Sequence, residues 1–375
     1  FRGSKDKKNS SKKDMKKNNL FVLHTQYCLI LSTGLTKNRF KNDHNDLILF
    51  KDFKINENVE KKIESIFNES LILDGTLKSQ KLDEISKFKL LLSSNKKIKN
   101  KLNKKYNRVF LVTDMSLPEL KIMNFTNKLN NDTEYIWLED GSYPYFKNVE
   151  TNGGLDKNNL TRFIRCFIFK YIFNIGKFYS FSGRFMGANT WLNKAYLTYP
   201  NLSRDIYQNK QKIEISSKEF DFGITSIYDL TDFNFDQKFV FIVFDLFTVY
   251  KYEKDILNFL EEFHEFTNNI DLTVYFKLHP RETINLEKYN RFRELDRNIA
   301  VEAYYASFLK TNSVIIGIKS TALQTAKKMN FNVISIAEMF GEHNDDLTNF
   351  YNKIGVQSFL DNDSFFNELK ITFCE

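Results

Sequence analysis

The chain has 375 residues, 42% apolar and 27% charged, with four Pro and 13 Gly, which fits a packed globular protein of two or three domains and excludes a fibrous or low-complexity chain. Three Cys (Cys28, Cys166, Cys374) with no close pair argue against a disulfide framework or a cysteine-rich zinc site and predict a reducing compartment. The net charge of +8 is localised: residues 1–18 carry +6 and the acid-free stretch 157–204 carries +8, so the rest sums to −6 and a uniformly basic nucleic-acid-binding coat is excluded.

Residues 1–19 are Lys, Asn and Ser with little to bury, and are expected to be a disordered tag or linker, the start Phe1-Arg2-Gly3-Ser4 reading as the remnant of a trimmed leader. From Leu20 short apolar runs alternate with amphipathic stretches. Strands are expected at Leu20–Leu23, Leu47–Phe50, Val109–Thr113 and Tyr135–Leu138, with helices at Asn58–Phe67 and Leu82–Leu92. The Lys cluster at 96–105 reads as a solvated helix face. Residues 157–204 are basic and aromatic with mostly helical spacing. The polar stretch Thr225–Gln237 is the expected linker. A second series follows, with strands at Phe239–Phe244, Leu272–Leu278, Ile299–Val301, Val314–Ile318 and Val333–Ile336 and helices at Tyr252–Phe266 and Thr321–Met329. Strand then helix, repeated, predicts parallel βαβ units, hence an α/β chain of two halves, 20–230 and 231–375. No apolar run approaches the ~20 residues that span a bilayer. Neither common glycine-rich phosphate loop is present, which argues against a P-loop NTPase and an ordinary dinucleotide enzyme.

Three short motifs close predicted strands, where a parallel sheet lines its ligand crevice. The first is Trp137-Leu138-Glu139-Asp140-Gly141-Ser142-Tyr143-Pro144. Two adjacent carboxylates cannot both point one way, so one can face the cleft while the other braces the turn. An ordinary acidic turn is the alternative. The second, Lys277-Leu278-His279-Pro280-Arg281, sets a His between two cations as a seat for a phosphate, or as a surface His in a basic turn. The third, Gly317 to Gln324, starts a helix at Ser320 and Thr321. Thr321 with Gln324 fits a capping box, and the same helix start fits an anion site. Glu302 also follows a short apolar run and suits a ribose diol, or merely begins a helix.

With Glu139-Asp140-Gly141, His279-Pro280 and Ser320-Thr321 in that order, the chain resembles the bacterial sialyltransferases of two-domain GT-B type, most of all the capsule polysialyltransferases and next the lipooligosaccharide sialyltransferases. The resemblance implies two Rossmann-like domains facing across a cleft: an acceptor-side N-terminal domain and a CMP-sugar-binding C-terminal one. It implies inverting transfer from CMP-N-acetylneuraminic acid with no metal or other cofactor. Glu139 would be the general base with Asp140 and Gly141 supporting it. His279 would assist departure of the CMP phosphate, with Pro280, Glu302, Ser320 and Thr321 completing the donor site. The basic stretch (Arg162, Arg165, Lys170, Lys177, Arg184) would attract an anionic oligo- or polysialic acid acceptor, or alternatively contact anionic lipid or simply be a solvated surface. The implied protein extends a capsule polymer by α2,8-type linkage, is cytoplasmic and peripheral to the inner membrane, and has the capsule assembly complex as a partner but no nucleic acid. A CDP-polyol phosphotransferase of similar fold and a non-catalytic polyanion-binding protein are the rival readings.

Overall fold

The computed structural model describes residues 16–75, 96–146, 167, 171, 175, 178, 185–230, 233–244, 253–279, 282, 292–308, 311–341 and 345–374. Two all-parallel sheets organise them. The first has strands β1 (Asn18–Leu23), β2 (His44–Lys51), β3 (Glu69–Asp74), β4 (Arg108–Leu111), β5 (Glu134–Leu138), β6 (Leu192–Leu197) and β7 (Gln211–Glu214), in the spatial order 3-2-1-4-5-6-7. The second has β8 (Lys238–Val243), β9 (Thr273–Lys277), β10 (Phe292–Glu294), β11 (Asn312–Gly317), β12 (Asn332–Ser335) and β13 (Gln357–Ser358), in the order 10-9-8-11-12-13. In each sheet the order reverses beside its first strand, between β1 and β4 and between β8 and β11. That is the switch point at which such sheets open a crevice.

The central strands are apolar because helices cover both of their faces: Leu20 to Leu23 and Phe239 to Ile242 are fully buried. Nine helices of the described residues matter here: α1 (Gln26–Lys37), α2 (Glu57–Ile66), α3 (Leu117–Leu129), α4 (Ser217–Ile227), α5 (Glu253–Asn269), α6 (Val301–Phe308), α7 (Thr321–Lys328), α8 (Asp345–Ile354) and α9 (Asn362–Cys374). Helix α1 is buried from Tyr27 through Thr36, since α4 lies directly against it. Glycines permit that approach: a Cβ on Gly34 would overlap the Glu219 carbonyl, and one on Gly223 the Ile30 carbonyl. The start of α1, which lies at the site, is therefore fixed from behind.

The lobes meet along α7 and α8. Lys328 Nζ donates to the Thr198 carbonyl at 3.1 Å and pairs with Glu214 at 2.6 Å. Tyr199 OH donates to the Gln324 carbonyl at 3.2 Å, and the Tyr145 ring stacks on Phe350 with centroids 4.7 Å apart.

Several sequence expectations change. Asn18 and Asn19, placed in the disordered leader, begin β1 and pair with His44 and Asn45, while residues 1–15 lie outside the described residues. Ile299–Val301 is no strand. Its apolar residues lead into α6, whose inner face is buried, so burial rather than sheet pairing accounts for the run. Leu192–Leu197, inside the stretch read as helical, is β6, and its Leu192 and Ala195 pack inward while Asn193 is exposed. Thr225 to Ile227, read as linker, complete α4. The helix expected at Leu82–Leu92 lies outside the described residues. In the Lys cluster, Lys101 and Lys104 bridge to Glu69 at 2.6 and 2.7 Å, and Lys104 reaches Asp46 at 2.8 Å, so those two are paired rather than merely solvated.

Candidate functional site

A cleft of about 540 Å³ opens where the two switch points face each other. The first lobe lines it with His24, Thr25, Gln26 and Tyr27 after β1, Asp52 and Phe53 after β2, and Asp140 to Tyr143 after β5. The second lobe contributes Val243 and Phe244 after β8, Lys277 to His279 after β9, Ala300 to Glu302 at the start of α6, and Ser320 to Ala322 at the start of α7. All three sequence motifs thus converge on one volume.

The two acids of the pair are placed differently: Glu139, expected to face the cleft, is turned inward, and Asp140 faces it. Glu139 is fully buried and does not line the cleft. Its Oε1 accepts from Tyr27 OH at 2.5 Å and from Thr198 Oγ1. Its Oε2 accepts from Tyr145 OH and, at 2.8 Å, from the Thr198 backbone N–H. Four donors around one buried carboxylate make an anchor for the turn, and reaching the cleft would break them. Burial pushes the Glu139 carboxyl above its usual range, opposed by those bonds from Thr198, Tyr145 and Tyr27. The same burial, with the Glu139 charge, holds the Tyr27 and Tyr145 hydroxyls protonated.

Asp140 is half-buried and faces the cleft. Its Oδ1 accepts from Thr25 Oγ1 at 3.4 Å and Cys28 Sγ at 3.5 Å, and its Oδ2 has no protein donor among the described residues. Burial raises its pKa, against the Cys28 bond and the nearby charge of His24. A raised carboxylate with one oxygen open to a cleft has the disposition of a proton acceptor.

Gly141 turns the chain from this acid toward the second lobe. Its φ is +62°, and a Cβ there would collide with Thr321 Oγ1. Only glycine satisfies both constraints. The next residue completes the contact, Ser142 N donating to Thr321 Oγ1 at 3.2 Å.

On the facing wall, the cap of α7 is Ser320, whose hydroxyl accepts from Ala322 N at 3.3 Å. Thr321 is therefore the first helical residue, and the capping box expected between Thr321 and Gln324 does not form. The side-chain atoms of Gln324 are buried with no partner among the described residues. Ser320 and Thr321 each accept a backbone N–H, which leaves the Ser320 proton to offer an anion; among the described residues the Thr321 hydroxyl donates to Ser142 Oγ at 3.5 Å, a long bond that an anion could displace.

His279 lies at the cleft, half-buried, its carbonyl closing a turn with Glu282 N at 2.8 Å. Lys277, expected beside a phosphate, is buried and donates to the Arg297 carbonyl at 3.1 Å. Burial pulls its pKa down to about 8, partly offset by Glu302. Glu302 is buried at the cleft wall in the first turn of α6, so both of its sequence readings describe the same position. Burial pushes it up to about 7 against the pull of Lys277. Pro280, Arg281, Arg162, Arg165, Lys170, Lys177 and Arg184 lie outside the described residues.

Sequence reasoning left His24 without a role, read Cys28 only as an unpaired cysteine, and passed over Thr25, Tyr27 and Asp52. The signal was available: His24 closes the first apolar strand just as the three motifs close theirs. Among the described residues one further cluster, His44, Asp46 and Glu69, has the spacing of a metal site. It sits at the opposite end of the first sheet, where the Lys104 ammonium, 2.8 Å from Asp46 and 2.7 Å from Glu69, already fills it.

The alpha-2,8-polysialyltransferase family model matches residues 13–337. No curated protein is similar enough in sequence to count as a relative. Among solved structures, the alpha/beta-galactoside alpha-2,3-sialyltransferase of Photobacterium phosphoreum superposes with a TM-score of 0.51 at 15% identity, covering 92% of this chain and 98% of its own. The UDP-GlcNAc 2-epimerase of Methanocaldococcus jannaschii gives 0.56 at 11% identity over 96% and 93%. The glycosyltransferase of kitacinnamycin gives 0.55 at 10% identity over 96% and 90%. At these identities the likeness is one of fold, the two-lobed GT-B arrangement.

Proposed function

Because the chain belongs to the alpha-2,8-polysialyltransferase family and is accordingly a glycosyltransferase, we propose that it moves N-acetylneuraminic acid from CMP-sialic acid onto the end of an oligosialic acid, with inversion and by α2,8-type linkage. The observation that carries this reading is the convergence of an open carboxylate from one lobe with His279, Glu302, Ser320 and Thr321 from the other around one cleft.

Inversion requires attack from the face opposite the leaving group, and two facing lobes supply that separation. Asp140 accepts the proton of the acceptor hydroxyl as the glycosidic bond forms, and its raised pKa favours this. Glu139 fixes the turn that presents Asp140. Negative charge grows on the departing CMP phosphate, where the Ser320 and Thr321 hydroxyls, the start of α7 and His279 donate to it. Such neutral and imidazolium donors stabilise a monoester-like leaving group without help from a metal. Glu302, ionised above its raised pKa, accepts from the ribose hydroxyls. The Arg and Lys residues between 162 and 184 attract the polyanionic acceptor, whose sugars carry one carboxylate each. We also propose that the enzyme works at the inner face of the membrane beside the capsule assembly machinery. Among the described residues no helix is long and apolar enough to cross a bilayer.

Mass spectrometry of a fluorescent oligosialic acid incubated with CMP-sialic acid tests the reading. A ladder of added sugars supports it. A single addition favours a lipooligosaccharide-type sialyltransferase. No change, with CMP release absent, refutes sialyl transfer, and polyol phosphate transfer from CDP-glycerol in a parallel incubation would then identify the rival enzyme.

A further inference from the structure

We infer that His24, held between Glu119 and Asp52, is a cationic positioning group for the carboxylate of Asp140. The inference rests on the proposed reading of Asp140 as the proton acceptor. Helix α3 begins at Ser116-Leu117-Pro118-Glu119, the spacing of a capping box. Elsewhere in this chain the same spacing, Ser216 to Glu219, forms that box completely. At α3 it does not: Ser116 makes no capping bond, and the fully buried Glu119 turns its Oε1 to His24 Nε2. Ser116 Oγ and Glu119 Oε2 are both left buried and unpartnered among the described residues. Local helix stability is given up to hold an imidazole, and such breaches of local rules mark functional sites.

The ring is tightly defined. Its Nδ1 faces Asp52 Oδ2 at 3.5 Å, and its face stacks on Phe50, centroids 4.8 Å apart and 11° from parallel. Both ring nitrogens are thus engaged by carboxylates, which only the doubly protonated form serves as donor. Burial alone would lower the His24 pKa. The Glu119 charge and the bonds to Asp52 and Glu119 override it and hold it at about 10. The charged or titratable groups around it are Glu119 on α3, Asp52 after β2, and Asp140 after β5 with its neighbour Cys28 on α1. His24 reaches Asp140 in two ways: its charge favours the ionised carboxylate, and the adjoining Thr25 donates to Asp140 Oδ1 at 3.4 Å. Without that cation, burial would push the Asp140 carboxyl further up.

The test is the pH profile of kcat/KM for CMP release with an oligosialic acid acceptor. In His24→Gln the acidic limb is expected to move up by about half to one pH unit, with CMP affinity unchanged. Glu119→Gln keeps the imidazole but removes the charge that holds its proton, so His24 loses it at lower pH and the acidic limb is expected to move up part of the way that His24→Gln moves it. If His24→Gln does not accumulate as folded protein, that partial shift in Glu119→Gln alone decides the matter. Lowered stability in both variants with the acidic limb unmoved in each overturns the inference and leaves His24 a structural residue. Asp140→Asn, assayed alongside, separates the failures: if it retains near-normal activity, the reading of Asp140 falls, whatever His24 does.

Discussion

Replacing each acid of the Glu139-Asp140 pair by its amide separates anchor from base. In Glu139→Gln the amide oxygen must stay toward the Thr198 N–H, which cannot reverse its role, leaving the NH2 facing Tyr27 OH and Thr198 Oγ1, hydroxyls that can rotate to accept. The change thus exchanges charge-assisted bonds for neutral ones without leaving a donor orphaned, a cost of about 1–3 kcal/mol, or a melting temperature lower by about 2–4 °C for each kcal/mol. Transfer should fall with the displaced turn but stay measurable. In Asp140→Asn, whose Oδ1 has only a long bond from Thr25 and a thiol contact, stability should hardly change. The rate should fall by about 10²–10⁴, the usual worth of a general base, with CMP affinity retained. CMP release, CMP binding by calorimetry and thermal unfolding, measured on both variants, decide the issue. If Asp140→Asn keeps more than about a tenth of the rate while Glu139→Gln is dead at an unchanged melting temperature, the reasoning is refuted and Glu139 is the base, as the family resemblance first implied.

Gly141→Ala is expected to cost about 1–2 kcal/mol for its left-handed backbone and, by driving Thr321 away, to lower transfer more than tenfold in the CMP-release assay; unchanged activity would mean the turn can leave Thr321 at no cost. CMP binding should tighten as pH rises through about 7, because Glu302 then ionises and can accept from both ribose hydroxyls, and calorimetry between pH 6 and 8 should find this dependence lost in Glu302→Gln. The raised pKa also means that ionising Glu302 opposes folding: the penalty is absent below its ordinary value near 4.5 and complete above about 7, so Glu302→Gln should gain stability relative to the parent at pH 8 but not at pH 4.

The sequence carried the architecture because parallel strands buried on both faces announce themselves as short apolar runs, and the runs at Leu20, Val109, Phe239 and Val314 all became central strands. It failed where burial and pairing are confused: Ile299–Val301 is apolar because α6 lies inward, and Leu192–Leu197 alternates too weakly against its aromatic neighbours to be seen as β6. The motifs located the cleft, but which acid faces it depends on Tyr145, six residues on in the same turn, and on Tyr27 and Thr198, which are 112 and 59 residues away in the chain. Likewise nothing local distinguishes the Ser116–Glu119 spacing from that of Ser216–Glu219. One partner, 95 residues away in the chain, turns Glu119 aside.

The contact of Gly141 and Ser142 with Thr321 ties positions 180 and 179 residues apart into one steric unit. Across descendants of this chain the two should mutate in concert. A lineage that enlarged position 141 would be forced to shrink or remodel position 321, which also sits where the leaving group departs. Drift on the acceptor half is thereby constrained by the donor half, and recombining lobes from distant homologues should yield working hybrids only when this pair is inherited together.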